Sequence, residues 1–473
     1  MPIIEKQQLL SRIFLAAVYI SSTSFIQAQQ KSSFGHELRE QVDQIVTQVL
    51  KSAGIPSASI AIVKDGKIAY IEAYGDARLE PHIPARPEMR YSIGSISKQF
   101  TSTAVLMLSE EHKLSLDDPV SRFFPTLTRA NEVTIRELLS HTAGYQDYWP
   151  QDYVPSFMLT EVTADQILGQ WARKPLDFDP GTEWQYSNTN FVIAGLIVEK
   201  ASGMPLLRFL RDRIFAPIGM ESVADVDKEP LGDPDPTGYL RYGLGPDRVA
   251  PKEGKGWLFA AGELAMPAQD LAKWDIAMIS QRLLKPSSYK EMQTEVLLKN
   301  GVGTRYGLGI AVRYESGHRV LEHGGEVSGF SAENLVFPDE RGAVVVLTNE
   351  MPADAASQIA HRIADLLFFD HHTLDGEKQK AENIFGQLQR GALDRSLFTA
   401  NANSYFTEQA LEDFSTSLAP LGSPRDFVQT EKADRGGMTL FRYKAKFSEK
   451  TFAVWVREMP DGKIEQYQLI VQP

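Results

Sequence analysis

Apolar residues recur with two different periods along this chain, and the order of those periods predicts its architecture. Residues 36–50 (HELREQVDQIVTQVL) place apolar side chains at helical spacing. Residues 57–63 (SASIAIV) and 67–73 (KIAYIEA) read as strands around Lys64-Asp65-Gly66, and Asp-Gly between apolar runs predicts a hairpin. A long helical stripe covers roughly 96–112, and from 117 to about 255 the pattern stays helical, broken by Pro and Gly. Strand periodicity returns at 307–313 and 319–323. Residues 333–338 and 343–348 are apolar and β-branched, as in buried strands, and 354–369 predict a closing helix. Strands on both sides of a helical middle predict one antiparallel sheet with a helical insertion, not alternating βαβ units.

After residue 370 the texture changes. Residues 371–380 are polar and read as a linker. Residues 381–421 read as helices. Phe441, Tyr443, Ala445 and Phe447 then alternate with Arg442, Lys444 and Lys446, and Phe452, Val454 and Val456 repeat the alternation. Pro460-Asp461-Gly462 is a turn into a last strand at 463–471. Helices followed by three or four antiparallel strands predict a small α+β unit over 381–473, with one curved sheet and helices on its inner face. No internal repeat or low-complexity tract occurs.

Composition narrows the function. At ~150 residues per domain, 473 residues suggest about three domain-sized units. Acidic residues number 61 and basic ones 49, a net charge of −12, which argues against a nucleic-acid partner because such affinity rests on Lys and Arg neutralising phosphates. The chain has no cysteine, which excludes disulfides, thiolate metal sites and a cysteine nucleophile. Near the start, Lys6 and Arg12 precede an apolar stretch from Ile13 to Ile20, then small polar residues and Phe25-Ile26-Gln27-Ala28. That stretch is too short to span a bilayer and suits a signal peptide over 1–28, so the expected location is secreted or periplasmic. No other stretch reaches membrane length.

The candidate chemistry begins with Ser95-Ile96-Ser97-Lys98, which opens the long helical stripe. Three residues apart on a helix, Ser95 and Lys98 share a face, and a lysine whose pKa is lowered by burial can take the serine proton. The backbone N–H groups at the helix N-terminus offer an oxyanion site. Tyr186-Ser187-Asn188 adds a tyrosine able to relay that proton and an amide able to bind a substrate carbonyl. His323-Gly324-Gly325 adds two glycines that let a substrate backbone lie close. No G-x-S-x-G elbow, H-E-x-x-H motif or P-loop is present.

The ordered set Ser95-x-x-Lys98, Tyr186-x-Asn188 and His323-Gly324-Gly325 resembles the serine β-lactamase and penicillin-binding-protein superfamily. It is most similar to the class C β-lactamase, D-alanyl-D-alanine carboxypeptidase and esterase branch. LSLDDPVSRFFP at 114–125, TIRELLSHTAGY at 134–145, YGLGI at 306–310 and HGGEVSGFSAENLVFPD at 323–339 carry the same resemblance, which covers 36–370. The resemblance implies an α+β, β-lactamase/transpeptidase-like fold: an antiparallel sheet flanked by helices, plus a helical lobe, with the site in the cleft between them. It implies that Ser95 forms an acyl-enzyme, that Lys98 and Tyr186 move protons, and that the N–H groups of Ser95 and Glu326 form the oxyanion hole. Asn188 would orient the acyl side chain, with His323, Gly324, Gly325 and Glu326 also on the substrate side. No metal or cofactor is implied. The small unit at 381–473 resembles the cystatin-like cone of nuclear-transport-factor-2-like domains, on the order of its elements and DGKI at 461–464.

The third motif departs from the Lys-Thr-Gly usual in true β-lactamases. Neutral His323 offers no fixed positive charge, Gly324 no hydroxyl, and Glu326 adds negative charge, so carboxylate substrates are disfavoured. The expected substrate is a small ester, amide or peptide, with cell-wall fragments among the candidates. A carboxypeptidase, a β-lactamase and an inactive penicillin-recognising sensor remain as alternatives, and the oligomeric state is open. Of the other polar residues, Ser97 reads as structural and His141 as fixing a loop beneath the site. Tyr145, Tyr148 and Trp149 suit either the cleft or the core, and Glu263 has no assignment. His371 and His372 read as linker residues rather than metal ligands.

Overall fold

The computed structural model describes residues 34–151, 153–315, 318–369, 371–435 and 437–472. The signal-peptide segment, 1–28, lies outside them. The chain divides into two compact units, one ending at Phe368 and the other running Phe369–Pro473.

The first unit is built on a seven-stranded antiparallel sheet. Helix α1 (His36–Ala53) precedes it, burying Val42, Val46 and Val49 and ending at Gly54 in the left-handed conformation. Strands β1 (Ser57–Lys64) and β2 (Lys67–Arg78) form the expected hairpin. Asp65 and Gly66 both take positive φ, the geometry that a tight hairpin with right-handed strand twist requires. A short strand, β3 (Ile83–Pro84), edges β2. The remaining strands come from the far end of the unit: β4 (Ala311–Glu315), β5 (His318–Val327), β6 (Phe330–Phe337) and β7 (Gly342–Thr348), giving the order β3-β2-β1-β7-β6-β5-β4. β1, β6 and β7 are buried along nearly their whole length, which explains their near-continuous apolar sequences.

Helices fill the middle of the sequence. α2 (Ser97–Glu110) is buried on all sides from Ser97 to Leu108. Its polar side chains are satisfied internally: Thr101 Oγ1 donates to Ala260 O at 2.8 Å, and Ser97 Oγ accepts the Leu264 N–H at 3.2 Å, the structural role expected of Ser97. α3 (Asn188–Ser202) packs against α2, while α4 (Ala268–Ile279) and α5 (Ala355–Phe368) pack on the sheet. Strand Tyr91–Ser92 pairs with Leu264–Met266 just ahead of Ser95 and fixes the entry to α2. No helix among the described residues is by itself long and apolar enough to cross a membrane. One bent pair, Asn188–Ser202 with Leu206–Ile218, passes that test jointly, but its apolar residues lie in the core.

The second unit has helices α6 (His371–Gln389), α7 (Ala400–Tyr405) and α8 (Glu408–Leu418), then a four-stranded antiparallel sheet. Its strands are β8 (Asp426–Arg435), β9 (Met438–Lys446), β10 (Thr451–Glu458) and β11 (Ile464–Gln472). The alternation of β9 and β10 is as expected: Phe441, Tyr443, Ala445, Phe452, Val454 and Val456 are buried against Ile384, Phe385 and Leu388 of α6. The expected linker at 371–380 is corrected, since α6 runs through it. Its Glu, Lys and Gln are polar, yet they are also strong helix formers. Lys380 anchors that part of α6 by donating to Glu458 Oε2 at 2.8 Å. Strand β8, the fourth of the three or four strands expected, was not placed from sequence, because DFVQTEKADR lacks the apolar alternation of its neighbours, although Phe427 is buried.

Candidate active site

Ser95 sits in a single 3-10 turn, Gly94–Ile96, that runs directly into α2. One turn on, Lys98 is fully buried, and its Nζ lies 2.8 Å from Ser95 Oγ, as the i, i+3 spacing dictates. Nζ is also 2.8 Å from Asn188 Oδ1 and 2.8 Å from Ala261 O. A neutral amine has two N–H donors and one lone pair. Two carbonyl acceptors and one hydroxyl match that inventory, with the lone pair left for the serine proton. The rings of Tyr186 and Phe191 lie 4.9 and 5.5 Å from Nζ. Burial lowers the Lys98 pKa to about 7, against an opposing pull from the Asp147 carboxylate.

Tyr186 and Asn188 arrive from the start of α3. The Tyr186 hydroxyl is buried and makes no hydrogen bond among the described residues. Burial holds its pKa above the usual phenol value, while nearby Ser95 pulls it down. Asn188 is held by Asp147, which accepts its backbone N–H at 2.9 Å and its side-chain amide at 3.3 Å. His141 supports the same segment from beneath, as expected. Its Nδ1 accepts the Ser187 N–H at 3.2 Å, its carbonyl accepts the Gln185 N–H at 3.0 Å, and its ring packs 4.2 Å from that of Tyr186.

His323, Gly324, Gly325 and Glu326 lie on β5. β4 pairs with β5 only as far as Glu322, so beyond it the outer edge of β5 has no strand partner among the described residues. Two glycines bring this edge against Ser95. A Cβ on Gly325 would stand 2.0 Å from Ile93 O and 3.3 Å from Ser95 N. A Cβ on Gly94, whose φ is +49°, would stand 2.7 Å from Glu326 N. The backbones of Ser95 and Glu326 are therefore neighbours only because both positions lack side chains. His323 is buried and neutral, its pKa lowered to about 3 by burial and by the Lys98 charge. Its Nδ1 lies 2.6 Å from Gly324 O and its Nε2 2.9 Å from the Tyr306 hydroxyl. Both ring nitrogens are thus occupied, and the imidazole forms a neutral wall.

Ser95, Asp147, Tyr186, Asn188 and His323 to Glu326 line one cleft of about 1000 Å³, with Lys98 buried behind Ser95. Tyr148 and Trp149 join its wall, whereas Tyr145 belongs to the core and donates to Thr128 O. Within the first unit the cleft has the shape, nucleophile and proton acceptor of a covalent hydrolase, and a beta-lactamase family model matches residues 42–368.

The chain belongs to the beta-lactamase family.

Protein flp of Staphylococcus aureus (strain MW2) is 29% identical over 330 residues, 66% of this chain and 64% of that protein. The chain thus matches less than two thirds of that relative's length. A D-stereospecific amidohydrolase from a Streptomyces species is 28% identical, with a TM-score of 0.59 over 70% of this chain and 98% of that one. The octameric penicillin-binding protein homologue from Pyrococcus abyssi shares the fold with a TM-score of 0.62, at 21% identity over 92% of this chain and 99% of that chain. That share is larger than the first unit alone.

Two residues at this beta-lactamase-family site were not singled out from sequence, and a third was left unassigned. Asp147 is one, because its contact with Asn188 depends on the docking of a loop forty-one positions away. Tyr306 is the second, although YGLGI marked its segment. The third is Glu263, left unassigned above. Its Oε2 accepts the Ala260 N–H at 2.8 Å and so fixes the turn that presents Ala261 O to Lys98. Two groups have ligand atoms close enough to share a cation, Asp225-Asp227-Glu263 and Glu315-Glu322-His361. Lys228 already pairs with Asp225 in the first, and Arg313 with Glu322 in the second.

Proposed function

We propose that this protein is an exported serine hydrolase that forms an acyl-enzyme on Ser95 and hydrolyses ester or amide bonds of small substrates. The observation that carries the proposal is the fully buried Lys98 amine, 2.8 Å from Ser95 Oγ, with a pKa near neutrality. Ser95 Oγ gives its proton to the Lys98 lone pair as it attacks the carbonyl carbon. The N–H groups of Ser95 and Glu326 receive the charge that develops on the carbonyl oxygen. Tyr186 stays protonated and hands a proton to the leaving group, drawing in turn on Lys98. Water then attacks the acyl-enzyme by the same route in reverse.

The substrate preference follows from charge. Asp147, Glu326 and Asp354 line the cleft, together with Glu333, whose pKa burial raises to about 8, and no Lys or Arg does. Carboxylate-bearing substrates such as β-lactams and C-terminal D-alanyl peptides meet repulsion there, while neutral or cationic esters and amides do not. Amide hydrolysis is in keeping with the name of the amidohydrolase relative. Export rests on the charged and apolar pattern of residues 1–28.

Wild type and Ser95→Ala are compared on a chromogenic short-chain ester, a chromogenic cephalosporin and a D-alanyl dipeptide. Turnover of the ester by wild type alone is expected. A steady-state rate on the cephalosporin above that on the ester would overturn the substrate preference. Equal rates for wild type and Ser95→Ala would remove the nucleophile.

A further inference from the structure

The active-site cleft does not stop at the strand edge. It passes over Gly324 to Glu333, Asp354, Ala356 and Ser357, on the side of the sheet that α5 covers. Glu333 stands opposite Gly324 in the β5–β6 ladder, so the two positions face the same way. Gly324 is exposed, and a Cβ there would stand at ordinary contact distance, 3.6 Å, from Glu333 Oε2. Backbone crowding therefore does not demand glycine here, in contrast to Gly325. What glycine provides at 324 is open space between the cleft and Oε2 of the Glu333 carboxyl.

That carboxyl is incompletely satisfied. Glu333 is 6% exposed, and its Oε1 has no hydrogen-bond partner among the described residues. The neighbouring cations are committed elsewhere: Arg313 is 3.1 Å from Glu322 and His361 is 3.1 Å from Glu315. A side-chain hydrogen bond from Ser357 reaches this carboxyl, yet Oε1 of the buried group is left without a partner, which is costly and leaves capacity for a donor that the chain does not supply. The chemical complement is a primary ammonium, which brings one positive charge and three donors on a compact head. Met351, Pro352 and Ala356 give the same arm of the cleft an apolar side for the attached carbon chain.

We infer that Glu333, reached across Gly324, is the subsite that binds an ammonium group of the substrate. This rests on the hydrolase assignment above and narrows it to amine-bearing esters or amides. Glu333 acts here as a specificity-determining residue and takes no part in the bond changes at Ser95.

The charged groups around the subsite fix how it responds to pH. Glu322, Glu315 and Arg313 face it from the strands, and His361 and Asp354 from α5 and its start. Burial, with help from the Glu322 charge, raises the Glu333 pKa to about 8, while His361 pulls it back. An arriving ammonium favours the ionised carboxylate, so its binding releases a proton and tightens as pH rises from about 6 to 9.

The test uses the full-length protein and a matched pair of probes, butylammonium chloride and 1-butanol. Binding is read directly by calorimetry and as competitive inhibition of ester hydrolysis. In wild type the ammonium is expected to bind roughly tenfold more tightly than the alcohol, the size of one charge-assisted hydrogen bond. The ratio is expected to fall to about one in Glu333→Gln, which keeps shape and loses charge, and to shrink in Gly324→Thr, whose side chain covers the carboxyl. Equal affinities in wild type, or an unchanged ratio in folded Glu333→Gln, would overturn the inference. The calorimetric arm is repeated on Ser95→Ala. If that variant hydrolyses esters like wild type, the hydrolase assignment fails while the Glu333 result still stands or falls by itself.

Discussion

Lys98 Nζ lies 2.8 Å from Ser95 Oγ in a fully buried setting, and its other two contacts are carbonyl oxygens. This pairing predicts the pH dependence. The Lys98 pKa is lowered to about 7, so below that pH the amine is protonated and cannot accept the serine proton. kcat/KM for a neutral ester should rise about tenfold per pH unit up to about 7 and then level off. Asp147 raises the Lys98 pKa, so Asp147→Asn should move this limb to lower pH. A limb that stays in place would show that the Asp147 charge is not felt at Lys98.

Gly324 and Gly325 are adjacent and chemically identical, yet their surroundings predict opposite outcomes for alanine. At 325 the new Cβ would stand 2.0 Å from a backbone oxygen, so β5 must move away from Ser95. Gly325→Ala should lose about 1–3 kcal/mol of stability and at least ~100-fold in kcat, because the two oxyanion donors separate. At 324 the nearest atom would be 3.6 Å away, and Gly324→Ala should stay within about 0.5 kcal/mol of wild type. Thermal melts and ester kinetics on the two variants read both effects.

Much of this site was visible in the sequence, and the particular residues show why. Ser95 and Lys98 lie three apart on one helix, so local geometry alone brings them together. Tyr186, Asn188 and His323 were found through their short motifs, although they meet Lys98 only through tertiary packing. Asp147 carries no local signature: its partner Asn188 is distant in sequence, and nothing in QDYW announces the contact. Glu333 leaves a signal, a lone acid in the buried run FSAENLVF, but strand character and family resemblance account for that run without giving the acid a role. The hairpin at Asp65-Gly66 was legible because positive φ selects those residues. The start of α6 was not, because helix-forming Glu, Lys and Gln share their polarity with linkers.

A pH-dependent contribution to stability is expected away from the cleft. His361 Nε2 lies 3.1 Å from Glu315 Oε1, and that hydrogen bond is the main cause raising the His361 pKa to about 9. The unfolded value is about 6.5, so the folded state binds the extra proton between these two values. The stabilisation is fully present below about pH 6.5 and is lost as pH rises through about 9. The pair is partly exposed, so solvent screening keeps the effect modest. Melting temperature should fall across that window, and His361→Gln should flatten the fall. An equally steep fall in His361→Gln would assign it to other groups.

The most direct test of the central claim is the intact mass of the protein during turnover of a slow ester or amide. Wild type should gain one acyl group, located by peptide mapping to the segment containing Ser95 and released on standing. Ser95→Ala should gain none and lose turnover. An adduct mapped to another residue, or one formed equally by Ser95→Ala, would contradict the account.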